Sequence, residues 1–519
     1  MISLSQIIGA VVLILVLRII QKFIIKPYKE LKAFSTTPNA IVTFKIGSKK
    51  VKEWKNDQKA TYEPTDKTNP FENNELYKYV LEHPTLRFTA NNFAHRVMVT
   101  LQDKALITEF YKNGKCYRKL PRKSFLRTEY TQYGLSNVEG DEWKFQRKVI
   151  SEIFHFENLI KTLPIMEETV KEFLEAIKFE GNSVKINVID EFHKITGEII
   201  GRTFFGESLN SYKLFGKPLT LALAEYLAGA NSKLRSNIGY QIFGSLALLW
   251  SSKVREYRRE ALEIGEISRK IVRESIEKLE KNPPKTDSGR KGLLQILWEK
   301  SKAEASLNER ELVANFIVFF IAGMDTTGHT VAMVVYFLSQ YPEVKNKVIQ
   351  EIEKNWDGKS ELNSAALQRL EYLQATIDET LRMSTPAAGT FPREALQDHY
   401  LNDIHIKKGT IVFPFFIPSM FNRDLYTDVG VFRPERFIKG DPAYERPSDP
   451  FAYIPFSAGA RNCIGQHMAI MEAKIILCHF LKMYDFELEK GYKLEMVQRF
   501  LLEPKIPPKF TITRRTYSA

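Results

Sequence analysis

Cysteine is scarce in this chain: Cys116, Cys463 and Cys478 are the only three among 519 residues. So small and odd a number excludes a disulfide framework and points the folded body to a reducing compartment. Linkers are missing too. No Gly/Ser/Pro-rich stretch divides a chain that could hold two or three average domains, so one large domain fits the length. Neither a flavin nor a nicotinamide glycine fingerprint occurs, and no His-Glu-x-x-His run is present. No zinc-finger, basic-zipper or RNA-platform motif accompanies the net charge of +13, and that charge is scattered, which sets nucleic acid aside. The same charge favours anionic membrane surfaces or acidic protein partners over acidic substrates.

What is present begins with an apolar run. Ile2 to Ile25 is mostly apolar and uninterrupted from Ile7 to Leu17, and about 20 helical residues cross the hydrocarbon layer. Lys22, Lys26, Lys29 and Lys32 follow it, so the positive-inside rule places the body on the cytoplasmic side. A cleaved signal peptide wants basic residues first and a small-residue site after, the reverse of this order. Residues 1–26 therefore read as an uncleaved membrane anchor and residues 27–519 as the body.

Hydrophobic content of 44% supplies an extensive core. The periodicity predicts a short helix over Glu75 to Glu82, strands starting a small sheet around Val97, Val99 and Leu101, and a long loop from Cys116 to Val138. A strand-like run, Val184 to Val188, interrupts helical patterns between Asn158 and Phe205. Leu219 to Trp250 is unusually apolar for a stretch broken by Gly229, Gly239 and Gly244, and periodicity alone does not settle its place in the fold. Val254 to Lys281 reads as a long amphipathic helix stopped by Asn282-Pro283-Pro284. Another helix opens at a capping box, Ser306-Leu307-Asn308-Glu309, and runs to about Tyr341. Leu312 to Ala322 is apolar almost all round, yet Asp325, Thr326, Thr327 and His329 interrupt it too soon for a membrane span. It is a core helix with a polar centre, and buried polar groups cost stability unless satisfied. A helix over Gln466 to Met483 and strands around Lys509 to Arg514 close the chain, so the fold class is mainly α with a smaller β region.

One stretch carries chemistry. Phe456-Ser457-Ala458-Gly459-Ala460-Arg461-Asn462-Cys463-Ile464-Gly465 sets a thiol between two glycines before a helix. Gly459 and Gly465 let the backbone turn sharply, and helix-start amides together with the neighbouring Arg461 lower a thiol's pKa. By type alone, a lone cysteine is more often a small buried hydrophobe. Zinc held by Cys463 and His467 would need two more ligands, and none is spaced nearby.

The full pattern Phe-x-x-Gly-x-Arg-x-Cys-x-Gly resembles the haem-binding loop of the cytochrome P450 family, in which the cysteine is the proximal iron ligand. That resemblance gives Cys463 this role, with Phe456, Arg461 and Gly465 around the cofactor, haem b. Three further motifs follow in the family's order. Trp143 and Arg147, four apart on one helical face, resemble its propionate-holding pair. Ala322-Gly323-x-Asp325-Thr326-Thr327 resembles its oxygen-activating motif, in which small residues let a flat cofactor lie close, Thr326 holds the oxygen and Asp325 relays protons. Taken alone, Thr326 bonding back to the preceding turn explains it as well. Glu379 and Arg382, with Arg436 from Phe432-Arg433-Pro434-Glu435-Arg436-Phe437, resemble the family's buried arginine network, a structural assignment. Arg393 matches another propionate contact, with Ala387, Ala388 and Phe391 as pocket candidates and Phe500, Leu501 and Leu502 capping the pocket. His329 reads as a packing or solvent contact.

The resemblance implies a haem-dependent monooxygenase that inserts one atom of O2 into an apolar small molecule. Electrons would come from NADPH through a flavoprotein reductase docked on the basic side near Cys463, with cytochrome b5 as a second donor. Membrane-bound members place such a domain on the cytoplasmic face of the endoplasmic reticulum membrane behind a single span. They carry a proline-rich hinge there, whereas this chain has only Pro27 and Pro38. Two rivals remain: a haem-thiolate isomerase or dehydratase acting on a peroxide, whose members often lack the alcohol at Thr326, and a non-enzymatic haem sensor.

Overall fold

The structure, a computed structural model, describes residues 4–46, 49–56, 75–93, 95–120, 130–206, 208–209, 211–230, 240, 244–281, 294–295 and 307–515. The helices that matter to the site are α1 (Leu4–Ile20), α2 (Lys26–Lys32), α3 (Gly140–Ile153), α4 (Leu163–Glu175), α5 (Val188–Ile200), α6 (Ser252–Lys281), α7 (Glu309–Gln340), α8 (Glu371–Met383) and α9 (Gln466–Met483).

The longest of these, α7, is the axis of the molecule. A helix with no polar face is stable only when enclosed, and every residue from Val331 to Leu338 is buried. Its capping box sits two residues later than the sequence suggests. Asn308 accepts from the Glu311 amide at 3.1 Å while Glu311 accepts from the Asn308 amide at 2.8 Å; Ser306 lies outside the described residues. Pro342 then opens the next helix, and α5, α6, α8 and α9 pack around α7.

Glycines set the approach of α5 to α7. A Cβ on Gly323 would lie 2.2 Å from Ile200 Cδ1, and one on Gly328 would lie 2.5 Å from His193 Cδ2. Thr196 Oγ1 then reaches across to donate to the Met324 carbonyl at 2.8 Å.

The larger sheet has seven strands in the order Lys49–Lys55, Ala40–Ile46, Phe88–Phe93, Arg96–Leu101, Ile411–Pro414, Arg393–Ala395 and Tyr117–Lys119. It thus begins at Ala40, well before the strands expected around Val97, and Ala40–Ile46 pairs in parallel with Phe88–Phe93. The start of the expected Cys116 to Val138 loop is an edge strand of this sheet, and residues 121–129 of it lie outside the described residues. A second sheet joins Tyr484–Leu488, Lys509–Arg514 and Ser183–Asn187.

At the N-terminus, α1 continues through a π-helical turn, Gln21–Ile25, into α2. The most apolar 18 residues within Gln6–Lys32 have a mean hydropathy of 2.4 and are not buried at all, whereas the corresponding window of Glu309–Gln340 is 67% buried. The helix does not end at residue 26. Pro27 and Leu31 are buried against the body, so its last turn belongs to the core.

Candidate active site

The cysteine loop is closed by its own backbone. The Cys463 amide donates to the Phe456 carbonyl at 2.9 Å, and the turn between them passes through left-handed conformations at Ser457 (φ 62°) and Gly459 (φ 70°). Gly459 thus needs to be glycine. Gly465 does not need it for its turn: its φ is −89° and an added Cβ would make ordinary contact with Phe154 at 3.8 Å. Its contribution is the amide, which hydrogen-bonds the Cys463 sulfur.

Cys463 is the exposed cysteine of the three, Cys116 being half-buried and Cys478 buried. Yet burial pushes its thiol pKa up, while the Gly465 amide and the Arg147 guanidinium pull it down. Accessible surface in so deep a setting means that the sulfur lines an interior hollow. The cation that favours the thiolate is Arg147, not the neighbouring Arg461 as the sequence suggests, because Arg461 turns away to other partners.

Those partners form a cationic rim. Arg461 donates to the Val138 carbonyl at 2.8 Å, pairs with Glu139 at 2.9 Å and lies 4.2 Å over the Trp143 ring. Arg393 reaches the same Glu139 carboxylate at 3.7 Å. Burial, with Arg393 and Arg147 adding like charge, holds the Arg461 pKa down to about 10 against the pull of Glu139. Among the described residues three guanidiniums face one carboxylate, which leaves positive charge unmatched that an acidic ligand would relieve. Arg147 donates to Asn462, to its carbonyl at 3.0 Å and its side-chain oxygen at 2.8 Å.

The other wall is α7. Ala322 is exposed in the middle of a largely buried helix, beside the partly exposed Val318, Phe319 and Thr326, so this face opens on a hollow. Thr326 Oγ1 donates to the Ala322 carbonyl at 2.7 Å. Phe154 connects the two walls: it meets Gly465, and its ring lies 5.6 Å from that of Phe319, one turn before Ala322. At Gly323 the small size also serves the close contact with Ile200 of α5. Successive residues turn by about 100° around a helix, so neighbours serve different faces.

Asp325 is buried with Oδ1 3.3 Å from His193 Nε2, and burial, with a smaller push from Glu503, raises its pKa to about 7. The acid and the alcohol are neighbours in sequence, but each bonds a different partner. His329 is buried, as a packing role implies, and burial holds its pKa down to about 3. Ala388 is buried beside the segment whose Pro386 carbonyl accepts from Leu502 at 2.8 Å. Phe391 is 55% exposed, with Lys119 above its ring.

The arginine network is buried as a unit. Glu379 takes two bonds from Arg382, at 2.7 and 2.8 Å, with both side chains fully enclosed, and lies 3.4 Å from Arg436. Arg436 also pairs with Glu445, a fourth member that the motifs did not indicate.

A loop that presents one thiol to a hollow with a surplus of cations at its rim is what a haem with two carboxylates and one sulfur ligand needs, and the residues fit that group. Comparison with known proteins agrees. The family model described as Cytochrome P450 matches residues 83–512. The chain belongs to the cytochrome P450 family. It is 27% identical over 430 residues to Cytochrome P450 734A1 of Arabidopsis thaliana, covering 82% of this chain and 80% of that one. It is also 27% identical over 414 residues to Cytochrome P450 3A12 of Canis lupus familiaris, covering 78% of each. A solved structure titled "Retinoic acid bound cyanobacterial CYP120A1" shares the fold with a TM-score of 0.68 and 21% identity, over 83% of this chain and 92% of that one.

This P450 is therefore a haem-dependent monooxygenase, an oxidoreductase whose cofactor is haem b. Sequence reasoning missed Glu139, Asn462 and His193. Glu139 directly precedes the Trp143 helix and its position was a usable hint. A lone histidine on an apolar face, such as His193, gives no such signal.

Proposed function

We propose that this P450 oxidises an apolar small molecule at the cytoplasmic face of the endoplasmic reticulum membrane, using electrons from NADPH through a separate flavoprotein reductase. The observation that carries the reading is the Cys463 thiol, accessible yet deep, with an amide and a guanidinium favouring its anionic form. Cys463 would hold the haem iron through its sulfur, and Trp143, Arg147, Arg393 and Arg461 would hold the haem carboxylates. When bound, haem supplies the activation of O2 that no side chain here provides.

The chain's own residues then do the following. Ala322 leaves the helix wall open. Thr326 presents a hydroxyl beside it, able to accept and pass a proton. Asp325, with a pKa of about 7, exchanges protons near neutrality and so serves as the local acid. Glu379, Arg382 and Arg436 fix the scaffold. On α3, Lys144, Phe145 and Lys148 are exposed beside Arg147, which supports docking of an acidic reductase surface there, with cytochrome b5 as an alternative donor. The apolar helix at Gln6–Lys32 supports a single membrane span, with residues 27–519 as the catalytic body.

A carbon monoxide difference spectrum of the reduced protein tests the ligand, and Cys463→Ala should abolish the thiolate signature. Apolar compounds, including an elongated acid like the retinoic acid named for the structural neighbour, can then be screened for spin-state shifts and NADPH-dependent product. NADPH-independent turnover of a lipid hydroperoxide would overturn the monooxygenase assignment in favour of an isomerase.

A further inference from the structure

The turn of α7 that carries Asp325 is gripped from α5. Side chains reach four successive or near-successive carbonyls: Thr326 bonds that of Ala322, Thr196 that of Met324, His193 that of Asp325 and Thr330 that of Thr326. Such contacts compete with the helix's own amides and loosen the ladder locally. Two of the four come from α5. His193 Nε2 lies 3.3 Å from the Asp325 carbonyl and 3.3 Å from Asp325 Oδ1. The backbone carbonyl can only accept, so Nε2 carries the hydrogen. The imidazole fits because position 328 is glycine, where any Cβ would lie 2.5 Å from His193 Cδ2 and 3.1 Å from its amide nitrogen.

We propose that His193 is a positioning residue for Asp325: seated in the slot that Gly328 leaves, it holds the carboxyl group against α5, and the acid serves the Thr326 hydroxyl by leaving this hold. The inference rests on the reading of Asp325 as the proton donor. In the step the Asp325 carboxyl gives its proton to the Thr326 oxygen, which releases its own hydroxyl proton into the hollow, and solvent then reprotonates the carboxylate; no electron moves.

The ionisable groups that act here are few. His193 faces the carboxyl from α5, His329 lies one turn along α7, and Glu503, paired with Arg499, acts from the strand Leu502–Pro504. On α9, one of the other helices packed on α7, burial pushes the Glu472 pKa well up. Burial holds the His193 pKa down to about 4, so the imidazole stays neutral while Asp325 titrates near 7. A neutral N–H donor favours the carboxylate over the acid, so its removal raises the pH at which Asp325 ionises.

The test is infrared difference spectroscopy of the resting ferric enzyme across pH, with Asp325→Asn subtracted to isolate the Asp325 carboxyl band. His193→Phe removes the donor and should raise the midpoint by about one pH unit, whereas His193→Gln, which keeps a donor, should leave it near wild type. Should His193→Phe fail to fold, Gly328→Ala, whose methyl displaces the imidazole, should give the same upward shift. An unmoved midpoint in His193→Phe, or in Gly328→Ala where that is the variant that folds, overturns the proposal. Failure of the underlying reading looks different: Asp325→Asn would then leave the fraction of NADPH lost to peroxide unchanged, whatever the band does.

Discussion

Arg147 holds Asn462 by both of its oxygens, at 3.0 and 2.8 Å, and Asn462 is the residue immediately before the thiol. One guanidinium thus fixes the loop and lowers the thiol pKa. Arg147→Lys keeps the charge but cannot form the two-pronged contact. Charge-assisted bonds of this kind contribute about 1.5–3 kcal/mol, so haem loss should accelerate by about tenfold or more and the thiolate fraction should fall. Haem transfer to a high-affinity acceptor and the carbon monoxide difference spectrum measure both. Unchanged loss would mean that the loop needs no outside support.

Glu379→Gln strands Arg382 and Arg436 in a fully buried site. Removing one partner of a buried network costs about 3–5 kcal/mol, a large share of an ordinary domain's stability. Soluble haem-loaded protein should nearly vanish, with the remainder melting well below wild type. A thermal midpoint close to wild type would show that Glu445 and the Met420 carbonyl, which accepts from Arg382, suffice without it.

How much of this was legible beforehand depended on distance along the chain. Gln466–Met483 and Lys509–Arg514 fall where periodicity places them, because each pattern is complete within its own segment. Cys463, Glu379 with Arg382, and the polar centre of α7 could be found because each motif is short and contiguous. The first strand, Ala40–Ile46, was missed because its partner is Phe88–Phe93 and no local signal records a parallel pairing. His193 bonds Asp325 across 132 residues and Arg147 bonds Asn462 across 315. Only folding makes such pairs visible. The same reason explains why Arg461, adjacent in sequence to the cysteine loop's centre, serves Glu139 and Trp143 instead of the sulfur.

Asp325 should leave a mark on stability. Its folded pKa of about 7 lies above its ordinary value of 3.8, so the unfolded chain gives up this proton first. The buried acid is tolerated fully below about pH 4, and its stabilising share is lost as pH rises through about 7, up to about 4 kcal/mol by linkage. Asp325→Asn should therefore gain on wild type as pH rises from 4 to 7. Urea midpoints of the two proteins across that window measure it, and a constant gap between them would rule the buried acid out.

Thr326→Ala removes a hydroxyl that only bonds back to the Ala322 carbonyl, so stability should change by less than about 1 kcal/mol. The haem spectrum should persist while peroxide release per NADPH rises several-fold, and Thr326→Ser should restore most of the coupling. Unchanged coupling in Thr326→Ala would reduce the residue to a helix-packing role.

The N-terminal helix makes a sharper prediction than a simple anchor would. Residues 6–20 are exposed apart from the partly covered Ile19, whereas Pro27 and Leu31 are buried and the α2 turn packs on the strands Ala40–Ile46 and Phe88–Phe93. Deleting residues 1–25 should release the protein from membranes and leave haem binding intact. Deleting residues 1–32 also uncovers the core: losing fully buried Leu31 alone costs about 2–3 kcal/mol. The longer truncation should therefore melt several degrees lower and lose haem sooner, although it carries no additional membrane segment. Fluorescence melting of the two truncations side by side separates anchoring from bracing. Equal midpoints would make the helix beyond residue 25 a mere tether.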